Sequence, residues 1–331
     1  MSDSFNAIVA QDNDGKAVAS LKQITLADLP DESVLVDVAC STLNYKDGLA
    51  VSGAAPICRK LPLICGIDLA GTVVDSADPA YQPGDRILVN GYGMSETFDG
   101  GYSQKQRVKP GWIVRVPQNM ELEETMALGT AGYTSMLCVL ALQDAGVQPG
   151  DGPVLVTGAA GGVGSVAVSL LSSLGYEVHA STGRVDAEGD FLRKLGAAHL
   201  LPRQELSRDS KPLEKEIWAG VVDTVGDKVL ATAIALTRYE GTVTACGLAG
   251  GAGLPTSVMP FILRGVTLRG IDSVMASQAR RQRAWNALAE IIDREQLREI
   301  YRVVPMSEVP ALASKIVQGE VRGRIVVDVN A

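Results

Sequence analysis

Leu43-Asn44-Tyr45-Lys46-Asp47 sets an amide, a phenol, an amine and a carboxylate side by side in the chain. Such a set can steady negative charge on a substrate or hold a proton. Asn44 offers amide donors, Tyr45 a hydroxyl and an aromatic face, and Asp47 a carboxylate able to orient Lys46 or Tyr45 or to relay a proton. A plainer role stands beside the chemical one: Asn44 and Asp47 capping a turn or helix, with Tyr45 as a wall. A phenol releases its proton reluctantly at neutral pH, so Tyr45 is read as a ligand contact before a general acid.

A second segment is built to meet an anion. The apolar run ending at Thr157 leads into Gly158-Ala159-Ala160-Gly161-Gly162-Val163-Gly164, and apolar residues at helical spacing continue to Leu174. Glycine permits positive φ and close backbone approach, so the first amides of the following helix can face phosphate oxygens. Strand, glycine turn and helix N-terminus together form the pyrophosphate seat of a dinucleotide fold. The loop Ala160, Gly161, Gly162, Val163 is the expected cradle. No Gly-Lys-Ser/Thr follows, which disfavours a phosphate-cleaving P-loop.

The second strand of such a fold delivers an acid to the adenine ribose when the cofactor is NAD. Here Glu177 comes too early, and the tip reads Ser181-Thr182-Gly183-Arg184. Hydroxyls and a guanidinium suit a 2′-phosphate, which points to NADPH. Arg203, after the third strand, is a second candidate, and a solvated loop arginine is the bland alternative for both.

These segments need elements to hold them. The chain has 331 residues, 46% hydrophobic and 21% charged, enough for two packed domains. Its formal net charge of −8 disfavours nucleic-acid or anionic-membrane binding. Asp3, Asp12 and Asp14 precede any long apolar run, so no secretory signal is expected, nor any run long enough to cross a bilayer. Cysteines 40, 58, 65, 138 and 246 include no Cys-x-x-Cys pair, which suits reduced thiols in a cytoplasmic enzyme. The two histidines, His179 and His199, lie in apolar strand-like runs, an unpromising start for a histidine base or metal site.

Residues 1 to about 125 read as β-rich, with short runs at 33–39, 67–74, 86–89 and 113–116 separated by turns such as Pro83-Gly84-Asp85. From about 126 to 273 strands alternate with helices, the strands expected at 153–157, 176–181, 197–201, 219–223, 241–246 and 266–272. That pattern predicts an α/β doubly wound parallel sheet. A helix over 278–293 and strands near 300–304 and 323–329 then return to the first domain, so that about 274–331 completes it.

The linear order of Leu43–Asp47, Gly66-Ile67-Asp68-Leu69-Ala70-Gly71, Pro83-Gly84-Asp85-Arg86, Gly129-Thr130-Ala131-Gly132-Tyr133, Gly158–Gly164 and Val222-Asp223-Thr224-Val225-Gly226 resembles the medium-chain dehydrogenase/reductase superfamily. The resemblance spans nearly the whole chain. It implies a GroES-like substrate domain beside a Rossmann domain, paired into a homodimer through the edge strand at about 266–272. It implies cofactor contacts from Tyr45, Ala160–Val163, Ser181–Arg184 and Arg203, with Leu248, Ile262 and Ser273 near the nicotinamide half. Core packing and a strand-end cap are the plain alternatives for those last three. Arg324 either reaches the site from the C-terminal strand or is solvated.

The sequence departs from the zinc alcohol dehydrogenases of that superfamily at two ligand positions: Asn44 stands for their first metal-ligating cysteine and Ile67 for their ligating histidine. The lobe with four clustered cysteines is missing. Zinc needs several S, N or O ligands in a tetrahedral set, so no metal is expected. Without a Lewis acid, hydride transfer to an activated double bond is the better expectation. Within the zinc-free branch, Leu43–Asp47, Cys65–Thr72, Ala180–Arg184 and Arg269–Ser273 look most like the acrylyl-CoA reductases, which use NADPH. Related enoyl-thioester reductases carry a tyrosine in Gly-x-Tyr-Pro; here the segment is Gly53-Ala54-Ala55-Pro56, leaving water as a proton source. Arg59-Lys60 and Arg280-Arg281-x-Arg283 could meet the phosphates of an acyl-CoA, or simply be solvated. An NADPH quinone reductase and an NADPH-binding protein with little turnover are the competing functions.

Overall fold

The computed structural model describes residues 4–331. The chain divides into two compact units. The first holds the chain through Thr130, with Val274–Ala289 and Tyr301–Ala331; the second holds Ala131–Ser273 and Glu290–Ile300. The units differ from the expected boundaries in two respects: the first runs through Thr130, past about 125, and Glu290–Ile300 groups with the second.

In chain order the first unit opens with β1 (Phe5–Asn13), β2 (Lys16–Ile24), β3 (Val34–Leu43), α1 (Tyr45–Ser52), β4 (Leu63–Ile64), β5 (Asp68–Ser76), β6 (Arg86–Asn90), β7 (Lys105–Val108) and β8 (Val114–Arg115). The long helix α2 (Leu122–Asp144) follows. Then come β9 (Val154–Thr157), α3 (Gly162–Ser173), β10 (Val178–Thr182), α4 (Val185–Lys194), β11 (Ala197–Pro202) and β12 (Trp218–Asp223). After these run α5 (Asp227–Leu236), β13 (Thr237–Ala245), α6 (Met259–Arg264) and β14 (Thr267–Gly270). The chain closes with α7 (Gln278–Ile291), α8 (Arg294–Ile300), β15 (Tyr301–Pro305), α9 (Val309–Val317) and β16 (Arg324–Asp328).

The first unit is built on a seven-stranded sheet ordered β15-β16-β3-β5-β6-β8, with β7 paired to β3, and a three-stranded sheet β2-β1-β4. The β1–β2 hairpin turns at Asp14-Gly15, both at positive φ (52° and 79°), the pairing that suits the twist of two-residue hairpins. Val36, Leu69, Ile87, Tyr102 and Ile325 share one buried cluster between these strands. Each fully buried aliphatic side chain there contributes roughly 1.5–3 kcal/mol.

The second unit is a six-stranded sheet ordered β11-β10-β9-β12-β13-β14, parallel throughout. Strand order reverses between β9 and β12, so the carboxyl ends of those strands form the place where ligands bind in doubly wound sheets. β9 and β12 are buried along their whole length, as strands covered on both faces must be, and this is why they read as unbroken apolar runs. His179 and His199 stack with ring centroids 5.0 Å apart, and His179 Nδ1 accepts from Trp218 Nε1, a packing role.

Two expectations are corrected here. α2 is long and apolar enough to cross a bilayer, contrary to the sequence reading, but 94% of its apolar window is buried inside the protein and Gly129 (φ 52°, ψ −156°) breaks it. It is a core helix. Arg281 is not on a solvated face: it is 1% exposed and donates to the carbonyls of Ala276, Asn90 and Val274. Its guanidinium also lies 3.9 Å from the Tyr92 ring centroid. This arginine cements the first unit and is not available to a CoA phosphate.

Candidate active site and cofactor cradle

The Asn44–Asp47 segment lies where β3 passes into α1. Asn44 is extended (φ −106°, ψ 166°) and caps the helix, with Asp47 closing the capping box. The Asn44 amide N–H donates to Asp47 Oδ2 at 2.9 Å. The two Nδ2 hydrogens of Asn44 go to Asp47 Oδ2 (3.0 Å) and Asp68 Oδ2 (2.8 Å), while its Oδ1 accepts from Arg324 at 3.1 Å. Asn44 therefore has no amide hydrogen left for a substrate oxygen, and the donor role expected for it is replaced by a positioning one. Asp47 does not orient Lys46 or Tyr45 either. Its other oxygen accepts the Ile67 amide at 2.9 Å, and Lys46 pairs with Glu96.

Asp68, at the head of β5, is the residue that sequence reasoning missed. Its carboxylate accepts from Asn90 Nδ2 (2.7 Å), from Asn44, from the Thr130 amide (3.0 Å) and from the Thr130 hydroxyl. A charged residue opening the apolar run Leu69–Val74 was a usable signal, because a carboxylate enters a buried strand only with partners. Arg324 is 2% exposed, so the solvated alternative is excluded. It donates to Ala127 O at 3.1 Å, to Asn44 and to the Thr42 hydroxyl, which itself donates to Ile325 O at 3.0 Å. Tyr102 closes the group by donating to Thr42 O at 3.0 Å.

Two carboxylates and one guanidinium are thus buried together. Burial, reinforced by the nearby charge of Asp68, pushes the Asp47 carboxyl up to about 7, against the donors from Asn44 and Ile67 that pull it down. Burial holds the Arg324 guanidinium below its ordinary value, opposed by Asp68 and Asp47. Asp68 and Asp47 both favour the charged guanidinium through space, although neither makes a direct ion pair with it. Tyr45, at the first position of α1, stands apart: it is 42% exposed with no hydrogen-bond partner among the described residues.

The glycine turn in the second unit has the expected geometry. Gly158 adopts φ +59°, and a Cβ there would lie 2.2 Å from Thr224 Oγ1. A Cβ on Gly164 would fall 2.3 Å from the Gly158 carbonyl, so helix and strand pack at backbone distance. α3 starts from Gly161, which has no side chain to cap it, so the amides of Gly162 and Val163 lack intrahelical acceptors and remain for an anion. Ala160 is buried; Gly161, Gly162 and Val163 are half-buried. Behind the turn, Asp223 joins the ends of β9 and β12 by accepting from Thr157 Oγ1 (2.7 Å) and the Gly226 amide (2.8 Å); burial raises its carboxyl.

At the tip of β10, the Ser181 hydroxyl is buried without a partner among the described residues, while Thr182 Oγ1 accepts the Arg184 amide at 3.2 Å. Arg184 begins α4 and its guanidinium lies 3.6 Å from Glu188. Arg203 is laid over Gly183, with guanidinium atoms 3.1 Å from where a Cβ would stand. An orphaned hydroxyl flanked by two arginines fits a 2′-phosphate, with Arg203 at least as well placed as Arg184. A cavity of about 260 Å³, lined by Arg203, Val225, Gly226, Lys228 and Gly250 among others, adjoins this tip. Leu248 and Ile262 are 64% and 71% exposed, so core packing does not explain them. Ser273 lies half-buried beyond the end of β14.

A sheet ordered 3-2-1-4-5-6 with a glycine turn, joined in one chain to a β-rich unit, defines a two-domain nucleotide-dependent dehydrogenase or reductase. Two family models match, "Alcohol dehydrogenase GroES-like domain" over residues 30–118 and "Zinc-binding dehydrogenase" over residues 162–292. The chain is 50% identical to acrylyl-CoA reductase AcuI of Ruegeria pomeroyi, over 99% of this chain and 100% of that one. The chain belongs to the medium-chain dehydrogenase/reductase family.

The structure of Escherichia coli K-12 YhdH with bound NADPH superposes with a TM-score of 0.96 at 48% identity, covering 98% of this chain and 100% of that one. Bacillus subtilis YhfP, a putative quinone oxidoreductase, is 43% identical over 99% of each chain. Its solved structure, with NAD bound, gives a TM-score of 0.96. Despite the family model's name, no group of three or more His, Cys, Asp or Glu side chains is disposed to hold a metal among the described residues.

Proposed function

We infer that this chain is an NADPH-dependent oxidoreductase that reduces the activated C=C bond of acrylyl-CoA to propanoyl-CoA without a metal. The observation that carries the reading is the 50% identity to acrylyl-CoA reductase over the full length of both chains. The arginine-flanked tip of β10 supports NADPH over NADH. Ala160–Val163 would hold the pyrophosphate, Ser181, Thr182, Gly183, Arg184 and Arg203 the 2′-phosphate, and Leu248, Ile262 and Ser273 the nicotinamide half. When bound, the reduced nicotinamide supplies hydride for the β-carbon of the thioester, and negative charge develops on the thioester oxygen.

Arg324 and Asp68 fix Asn44, and Asn44 fixes the start of α1, which anchors the backbone that carries Tyr45. That is preorganisation rather than proton transfer. The proton for the α-carbon comes from water, since the tyrosine position of related reductases is Ala55 here. Exposure of the β14 edge, with Tyr239, Val258 and Leu263 also exposed in that unit, supports a homodimer formed along it. Five free thiols support a cytoplasmic setting.

The test is NADPH oxidation with acrylyl-CoA, crotonyl-CoA and a benzoquinone in parallel. Selective turnover of acrylyl-CoA, unchanged after treatment with a strong chelator, is expected. The YhfP relationship favours a second reading, a quinone reductase, and turnover of the quinone alone would establish it. NADPH binding without turnover of any acceptor would overturn both.

A further inference from the structure

Arg59 and Lys60 take no part in the site described above, yet the first unit gives them a definite setting. The segment joining β6 to β7 begins as a tight knot. The Gly93 carbonyl accepts the amides of Glu96 (3.1 Å), Thr97 (2.9 Å) and Phe98 (3.1 Å), with Tyr92, Gly93 and Ser95 at positive φ (51°, 79° and 64°). From this knot Glu96 reaches two other segments. Its carbonyl accepts the Arg59 amide at 2.7 Å; one carboxylate oxygen pairs with Lys46 Nζ, and the other lies 3.8 Å from the Arg59 guanidinium. That separation is too long for a hydrogen bond, and the Arg59 side chain is 73% exposed. Its backbone is pinned while its fork of N–H donors stays open. Lys60 follows and is exposed as well. Three cations against one carboxylate leave two positive charges in excess, on a chain whose formal net charge is −8. The patch adjoins Tyr45, since Lys46 is the next residue of α1.

We propose that Lys46, Arg59 and Lys60, gathered by Glu96, receive the phosphates of the acyl-CoA. The proposal deepens the acrylyl-CoA reading and rests on it. The pantetheine arm sets the phosphates of CoA far from the thioester, so their receptor belongs on a rim beside the reacting centre and not within it. A guanidinium meets phosphate oxygens through paired N–H donors, and an ammonium meets them as a point charge. Glu96 cancels only part of the positive charge. By fixing the Arg59 backbone it also reduces the freedom that binding a phosphate has to remove. A cationic rim on an otherwise acidic protein draws a polyanionic substrate toward Tyr45, and salt weakens that attraction. The other basic run, Arg280-Arg281-x-Arg283, cannot offer the same, because its middle arginine is buried.

The test compares acrylyl-CoA with acrylyl-pantetheine, which carries the same thioester and no phosphate. The preference in kcat/KM for acrylyl-CoA is expected to shrink roughly fivefold in Arg59→Gln, the size of one exposed ionic contact, and further when Lys60→Gln is added. Arg59→Lys, which keeps the charge, should retain most of it. Added potassium chloride should raise KM for acrylyl-CoA in the wild type and do so less in the double variant. Calorimetric titration with CoA itself reads the same site without turnover. Weaker CoA binding by the double variant, in a protein that does not reduce acrylyl-CoA, would sink the substrate reading and leave this one standing. An unchanged preference together with unchanged CoA binding overturns the proposal. So does a rise in KM for NADPH alone, which would assign these cations to the cofactor's phosphates.

Discussion

Asn44 shows how a residue of the right type can be committed elsewhere. Both its amide hydrogens go to carboxylates and its oxygen to Arg324, which leaves it as a positioning residue. Asp68→Asn keeps the shape but removes the charged acceptor of the Asn44, Asn90 and Thr130 donors. A loss of about 1–3 kcal/mol of stability is expected from weakening these buried hydrogen bonds, read by urea unfolding. Asp47 has the opposite signature, since its folded carboxyl is raised to about 7. Between its unfolded value near 4 and the folded one, the native state binds the extra proton, so stability from this group falls as pH rises through that window. Asp47→Asn removes that term. The melting temperature of the variant minus that of the wild type should increase from pH 5 to pH 8, and a constant difference would refute the raised value. At the cofactor tip, Arg203→Ala should raise KM for NADPH roughly tenfold or more with little change for NADH, given about 1.5–3 kcal/mol for a charge-assisted hydrogen bond. Equal effects on both cofactors would remove the 2′-phosphate assignment.

Elements succeed where local chemistry and packing agree. The glycine turn and α3 were legible because Gly158 needs positive φ and Gly164 needs backbone contact, constraints that leave a trace in residue type. The turn at Asp14-Gly15 is legible for the same reason. Gly129 was quoted only as part of a run, yet it breaks α2 in a conformation that side chains avoid. A Cβ there would stand 2.7 Å from both Arg324 Nη2 and Thr42 Cγ2. Gly129→Ala should therefore cost more than the fraction of a kcal/mol typical of a surface change, and lower activity through Arg324 and Asn44. An unchanged melting temperature together with unchanged kcat would show that the break is tolerant. Length and hydropathy alone make α2 a membrane-length run, and only its burial shows it to be a core helix.

At the scale of the whole molecule, strand alternation announced the doubly wound sheet, since six strands with crossover helices have few other solutions. The return of the C-terminal strands to the first unit was legible too, from short β-runs following a helical stretch. Assignment of 290–300 was not, because α8 carries no local mark of the unit it packs in. Homodimer formation along β14 predicts twice the chain mass by light scattering in solution. A single-chain mass at micromolar concentration would rule it out.

The sequence by itself determined the class of fold, the glycine turn between β9 and α3 and the preference for a phosphorylated cofactor. Each depends on local rules: glycine dihedrals, apolar periodicity, and an arginine where an acid would otherwise stand. Only the tertiary structure decided that Asn44 is spoken for, that Asp68 and Arg324 hold it, that Arg281 is buried and that Arg203 lies over Gly183. Those facts depend on side chains far apart in sequence sharing a low-dielectric interior, where every donor and charge must find a partner and no single segment records which one.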